Sequence, residues 1–113
     1  MAISVVTAHP ESFLEEIRFL ISSNEIDTWI VDEDGDFTYK SSEWNKVAWF
    51  HPFVLNSRVV FGIIGRKGFT ISAEEYGAYH GFFIEMLVTH YISKVESISI
   101  IKPGNDNIFD RIK

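Results

Sequence analysis

The segment RVVFGII at residues 58–64 predicts more about the fold than any other part of the chain. Its residues are apolar almost without interruption and rich in β-branched side chains, which is typical of a strand buried on both faces. The sequence GRKG follows at residues 65–68, and glycines of this kind mark a turn. We therefore expect residues 58–64 to form a central strand of a sheet.

The sequence after this turn predicts one long helix. Ser72 and Glu75 have the spacing of a capping box, in which each residue satisfies an amide at the start of a helix. We extend this helix over residues 73–95, with a short strand at residues 97–101. Apolar side chains cover all but a narrow polar stripe of its surface, so we expect it to be largely buried.

Two glycines lie one turn apart on the predicted long helix. Gly77 and Gly81, together with Ala73, form a stripe of small residues. Each glycine costs about 1 kcal/mol relative to alanine in a helix, which favours a compensating close contact. The stripe therefore predicts either tight packing against another element or a homodimer through the long helix, and Gly81→Leu is expected to overpack that contact.

The sequence before residue 58 predicts a helix and a hairpin. Apolar residues at three- and four-residue spacings indicate a helix over residues 10–23. Two short β-prone runs at residues 28–31 and 37–39 flank Asp34-Gly35, a dipeptide typical of a tight hairpin turn. A further run at residues 47–50 is expected to be interrupted at His51-Pro52. We predict a single α+β domain over residues 1–113, with an antiparallel sheet of about four to five strands flanked by two helices.

Composition excludes several classes of protein. The chain has 113 residues, of which 46% are hydrophobic, and this is enough apolar material for one core. It contains no cysteine, so disulfides, thiolate metal sites and cysteine nucleophiles are excluded, which fits a reducing compartment. The N-terminal region does not resemble a secretory signal, and no run is long enough to span a membrane. We expect a cytoplasmic protein that does not contact membranes.

The charge is distributed unevenly. The net charge is −6, and residues 1–43 contain ten acidic and two basic side chains, whereas residues 44–113 contain six acidic and eight basic ones. A field of this sign repels nucleic acid and attracts a cationic partner. We therefore expect a protein partner with a basic surface and no binding to nucleic acid.

The sequence contains none of the common catalytic or cofactor motifs. No P-loop, dinucleotide-binding fingerprint, serine elbow or paired-histidine zinc helix occurs. His80 and His90 are ten residues apart, about 15 Å along a helix, which is too far for one metal ion. We expect no cofactor and no enzymatic activity. The alternative is an enzyme or small-ligand binder that uses His51, His80 and His90 with nearby acids.

The acidic segment DEDGD at residues 32–36 partly matches a calcium-binding loop. Asp32, Asp34, Asp36 and Glu43 occupy positions 1, 3, 5 and 12 of the EF-hand pattern. Position 6 of that pattern requires glycine for its sharp turn, and here it is Phe37. We therefore expect no metal site.

Aromatic residues accompany the acidic hairpin. Tryptophan and tyrosine often supply much of the energy at protein interfaces, and Trp29, Tyr39, Trp44 and Trp49 lie in or near the hairpin. We expect partner steering by the carboxylates and anchoring by the aromatic side chains. The predicted partner-binding residues are Glu25, Asp27, Asp32, Glu33, Asp34, Asp36, Tyr39, Glu43 and Trp44.

In size and general character the chain resembles the small immunity proteins of bacterial polymorphic and contact-dependent toxin systems. The resemblance is carried by residues 25–29 and 32–36 and by Trp44 beside Glu43, and it includes no motif from which a binding site transfers. It implies a non-catalytic inhibitor that neutralises a cognate basic toxin domain, often a nuclease. A homo-oligomeric regulatory or interaction domain remains the alternative from a different class.

Overall fold

The computed structural model describes residues 2–91, 93–102 and 107–111 and shows an α+β fold. All adjacent strands are antiparallel, and their order across the sheet is β2-β3-β4-β5-β1-β6. The elements in chain order are β1 (Ala2–Val6), α1 (Pro10–Ser22), β2 (Trp29–Val31), β3 (Phe37–Tyr39), β4 (Ala48–Leu55), β5 (Arg58–Gly65), α2 (Ala73–Tyr91) and β6 (Ser97–Ile101). The predicted class and hairpin are confirmed. The sheet has six strands rather than four or five, because the sequence analysis did not assign β1.

β5 is a central strand, as its continuous apolar sequence predicted. It pairs with β4 on one side and with β1 on the other. Val59, Phe61 and Ile63 belong to the main core, whereas Val60 belongs to a second cluster. Since side chains alternate between the faces of a strand, both faces of β5 are covered.

Both helices pack on the same face of the sheet. The buried residues of α1 and α2 form one cluster with the odd-numbered core residues of β5. Helix α1 begins with Pro10 at its first turn, where the missing amide hydrogen costs nothing. It ends before Asn24, whose φ of 69° is left-handed and stops the helix.

The C-terminal segment 107–111 covers part of the opposite, outer face. Phe109 packs with Ala2 and Val60. The amide of Ile63 donates to Asp110 Oδ1 at 3.1 Å, and the amide of Arg111 donates to the Ile63 carbonyl at 2.7 Å. The central strand therefore has hydrogen-bonding partners from three parts of the chain.

Gly62 permits this close approach of the C-terminal segment. A Cβ atom at Gly62 would lie 2.1 Å from the backbone oxygen of Phe109. Real Cβ atoms do not approach a backbone oxygen so closely, so any other residue requires the segment to move. Glycine inside a strand often marks such a close backbone approach.

The capping box of α2 is confirmed. The Ser72 amide donates to Glu75 Oε1 at 2.9 Å, and the Glu75 amide donates to Ser72 Oγ at 3.0 Å. The helix ends at Tyr91, before the predicted residue 95. It is buried on one face rather than largely buried, since Val88 is 45% exposed.

The predicted tight packing of the small-residue stripe against another element of the chain is wrong, whereas a homodimer through the stripe stays a prediction. Gly77 and Gly81 are exposed, and a Cβ atom at either position meets no atom within 4 Å. The opposite face of α2 makes the core contacts, through large residues such as Tyr79, Phe83 and Leu87. Overpacking of a buried contact by Gly81→Leu is therefore not expected.

The predicted interruption at His51-Pro52 is also wrong, because β4 runs through both residues. Pro52 pairs with Phe61 of β5. On the other side, β3 pairs with β4 only at Phe37 and Phe50. Pro52 thus lies where β4 is an edge, and an edge position tolerates the missing amide hydrogen.

In the described ranges, neither helix has the length and apolar character needed to cross a membrane.

Candidate functional site

One edge of the sheet carries most of the acidic residues that the sequence analysis selected. This acidic edge consists of strand β2, residues 23–28 before it, the β2–β3 turn at residues 32–36, and residues 40–46 after β3. Five of its acidic side chains are exposed to solvent: Glu25, Asp27, Glu33, Asp34 and Glu43. The two ends of β2 are only about 7 Å apart at 3.3 Å per residue, so the carboxylates that flank this short strand lie close together.

The β2–β3 turn is built around Asp32. One oxygen of its carboxylate accepts hydrogen bonds from the amides of Asp34 and Asp36, both at 2.9 Å. The Gly35 amide donates to the Asp32 carbonyl at 3.0 Å, and Gly35 has a φ of 81°, which favours glycine. Asp32 therefore stabilises the turn, and its charge is shared with the turn amides.

Arg18 of α1 ties this turn to the helix layer. Its Nη2 donates to the Gly35 carbonyl at 3.0 Å. A Cβ atom at Gly35 would lie 2.7 Å from that Nη2 atom, so glycine also makes room for the arginine. The exposed carboxylates of Glu33 and Asp34 are thus presented on a turn whose backbone is fixed at both ends.

Asp36 is buried and faces the outer side of the sheet. Its Oδ1 lies 2.5 Å from His51 Nδ1. The carboxylate accepts the Nδ1 hydrogen and fixes the orientation of the ring. The Asp36 carboxylate thus holds His51 in place. Because Asp36 is only 8% exposed, it presents little charge to a partner.

Three carboxylates of the turn lie close enough together to surround a cation. One oxygen from each of Asp32, Asp34 and Asp36 lies within 4.8 Å of the others. Oxygen ligands of this kind suit Ca²⁺. Asp32 and Asp36 already hold the turn amides and His51, and Phe37 enters the buried core. The expectation that no metal binds here stays a prediction.

The aromatic residues predicted as anchors also pack inside the protein. Tyr39 stacks on Phe82 of α2 with ring centroids 4.2 Å apart, and Trp44 contacts the same ring edge-on at 6.0 Å. The Tyr79 hydroxyl donates to the Trp44 carbonyl. Tyr39 and Trp44 are half-buried, so each offers a partner only part of its surface.

Phe19 is an exposed aromatic residue that the sequence analysis did not select. It is 66% exposed and lies on α1, the helix that packs against β2. The Glu25 amide donates to the Leu20 carbonyl, so this acidic residue folds back beside the end of α1. Phe19 falls outside the apolar face of α1, and this departure from the helical pattern is the signal that indicates exposure.

The three histidines of the alternative hypothesis lie in separate places. His51 is on the outer face of the sheet, whereas His80 packs against Phe50 in the helix layer, with Nδ1 2.7 Å from the Tyr76 carbonyl. His90 is exposed near the end of α2. They do not form one site, although the Asp36–His51 pair is a histidine–acid contact of the kind that hypothesis requires.

The acidic residues also affect Tyr91. This residue is fully buried beneath α1, with its ring edge-on to Phe13 at 5.3 Å. Burial raises the pKa of the Tyr91 hydroxyl well above its usual value, and the carboxylates of Glu16 and Glu25 raise it further.

Comparisons with protein-family models, with curated proteins and with solved structures give no match to the chain.

Proposed function

We propose that the chain is a non-catalytic protein-binding module that takes a basic partner at the acidic edge. The observation that carries this proposal is the clustering of five exposed carboxylates along one short edge strand and its flanking turns. Clustered charge of one sign speeds the encounter with an oppositely charged surface. The fixed backbone of the turn supports the proposal, because a pre-organised surface loses less entropy on binding.

Aromatic surface lies in and beside the acidic edge. Phe19 is largely exposed, and Tyr39 and Trp44 each leave part of the ring accessible. Aromatic residues surrounded by polar ones are typical centres of interface energy. In this arrangement the carboxylates increase the association rate, and the aromatic side chains slow dissociation.

The partner we propose is the basic domain of a toxin, often a nuclease, which the module neutralises as an immunity protein. The charge of the edge and the resemblance in size and character support this assignment. The cationic side chains of a nuclease bind the phosphates of nucleic acid. A row of carboxylates competes with those phosphates for the same side chains. The cysteine-free chain supports action in the cytoplasm.

Affinity capture from the native host tests the proposal. The bait is compared with an edge variant, E25Q/D27N/E33Q/D34N/E43Q, which removes five charges without changing side-chain size. A matched control, E11Q/E15Q/E74Q/E85Q/E96Q, removes five exposed charges elsewhere. We expect one basic protein to be retained by the wild type and by the control and lost by the edge variant. Equal capture by both variants would contradict the acidic edge as the binding surface.

A second candidate function is a homodimer formed through α2 and β6. A groove of about 370 Å³ between them is lined largely by apolar residues, and Val88 and Ile100 in it are 45% and 47% exposed. β6 is the other edge of the sheet, and unpaired strand edges readily pair with a second chain. Light scattering of the wild type and of Ile100→Lys decides between the candidates. A dimer that becomes a monomer in the variant favours the homodimer.

A further inference from the structure

A cavity of about 420 Å³ lies beside the loop between β5 and α2. It is lined by residues 64–70 and by Arg111 of the C-terminal segment. This volume falls in the range of small-molecule sites, roughly 300–1,000 Å³. β5 is three strands from β2, about 14 Å at a spacing of 4.8 Å, and no residue that lines the cavity belongs to the acidic edge.

Backbone hydrogen bonds hold two walls of the cavity together. The Gly65 amide donates to the Arg111 carbonyl at 3.1 Å, which joins the C-terminal segment to the end of β5. The Phe69 amide donates to the Arg66 carbonyl at 3.1 Å and closes a turn. Gly68 supplies the left-handed φ of 82° that this turn requires.

The lining is basic in a protein that is acidic overall. Arg66, Lys67 and Arg111 line the cavity, and no acidic residue does. Within residues 2–91, 93–102 and 107–111, none of these three cations forms an ion pair. The guanidinium of Arg111 lies 5.8 Å from the centre of the Phe53 ring, outside the cavity lining. The adjacent charges of Arg66 and Lys67 favour an anion, because a bound anion offsets their mutual repulsion.

The cavity also has an aromatic wall. Phe69 is 59% exposed, and the guanidinium carbon of Arg66 lies 4.1 Å from the centre of its ring. A guanidinium stacked on an aromatic face keeps the N–H donors at its edge free for an oxyanion. Ile64 adds apolar surface beside the ring.

We propose that this cavity binds a small phosphate ester that carries a planar ring. Arg66 and Lys67 bind the phosphate, because charge-assisted hydrogen bonds to phosphate are the strongest polar contacts available in this cavity. The planar ring packs against Phe69. The site needs neither the acidic edge nor a protein partner, so its test is independent of the proposed inhibitor function.

Nuclear magnetic resonance titration tests this site with three probes: adenosine 5′-monophosphate, inorganic phosphate and adenosine. We expect saturable shifts from the monophosphate at the amides of residues 64–70 and Arg111, with a Kd of about 1 mM or below. Phosphate alone and adenosine alone should each bind at least about tenfold more weakly, because each contacts one part of the site.

Three variants separate the parts of the proposal. R66Q/K67Q should weaken monophosphate binding at least about tenfold. The matched control K40Q/K46Q removes two exposed charges of the acidic edge that do not line the cavity and should leave binding unchanged. Phe69→Ala should reduce monophosphate affinity to that of phosphate. Absence of saturable shifts would overturn the site, and so would equal effects of R66Q/K67Q and K40Q/K46Q on monophosphate binding. Equal affinity for phosphate and the monophosphate would overturn the role of the ring.

Discussion

Replacement of Gly62 by alanine is the sharpest test of how the C-terminal segment is held on the sheet. The added Cβ atom would lie 2.1 Å from the Phe109 oxygen and 2.5 Å from its carbonyl carbon, where ordinary contact begins at 3.4 Å. The segment must therefore move by about 1.3 Å. A shift of this size exceeds the tolerance of hydrogen bonds that span 2.7 to 3.1 Å.

The expected loss of stability follows from these contacts. Two of the three hydrogen bonds between the segment and β5 are lost at about 1 kcal/mol each. Looser packing of Phe109, which is 9% exposed, costs about 1 kcal/mol more. We expect Gly62→Ala to reduce the free energy of unfolding by about 3 kcal/mol, or roughly 10 °C in Tm.

Urea unfolding measures this loss, and hydrogen exchange at the Ile63 amide reports whether the segment has moved. The matched control is Gly81→Ala, in which the same methyl group enters open space on a helix. Alanine there should stabilise the protein by about 0.5 to 1 kcal/mol. A Gly62→Ala variant that unfolds within about 0.5 kcal/mol of the wild type would refute this description of the segment.

Three further predictions concern the core, the long helix and the turn. Tyr91 should stay neutral in the folded state while it ionises near its ordinary pKa of 10.0 when unfolded, so wild-type stability should fall above about pH 10 by up to 1.4 kcal/mol per pH unit. Tyr91→Phe should lose that part of the alkaline decline in urea unfolding across pH, and an identical decline would contradict the prediction. Ser72→Ala removes half of the capping box and should cost about 1 kcal/mol in urea unfolding, whereas an unchanged midpoint would show that the cap is dispensable. Calorimetry at millimolar calcium should show no saturable binding, and binding that disappears in Asp32→Asn and Asp36→Asn would overturn that expectation.

The fold was predictable wherever one local signal determined an element. The apolar run at residues 58–64 predicted β5, and Ser72 with Glu75 predicted the start of α2. β1 was missed because five residues without turn signals on both sides do not distinguish a strand from a loop. Its pairing partners, β5 and β6, are more than fifty residues away in the chain.

The candidate site was predictable in composition but not in arrangement. The excess of acidic residues near the hairpin is visible in the sequence, and most of them are exposed. That Asp36 is paired with His51 depends on the register of β3 and β4, which no local pattern specifies. In the same way, the glycines of α2 suggested a contact, but the direction of each helix face is set by the sheet below it.

The salt dependence of the association rate with the captured partner tests the central claim most directly. The rate is measured by stopped flow between about 0.01 and 0.15 M salt, a range over which screening shortens the reach of charges from roughly 30 to 8 Å. The wild type and the matched control should slow steeply with salt. E25Q/D27N/E33Q/D34N/E43Q should associate at least about tenfold more slowly at low salt and depend little on salt. Equal rates and equal salt dependence for all three proteins, with folding confirmed by circular dichroism, would contradict the acidic edge as the surface that recruits the partner.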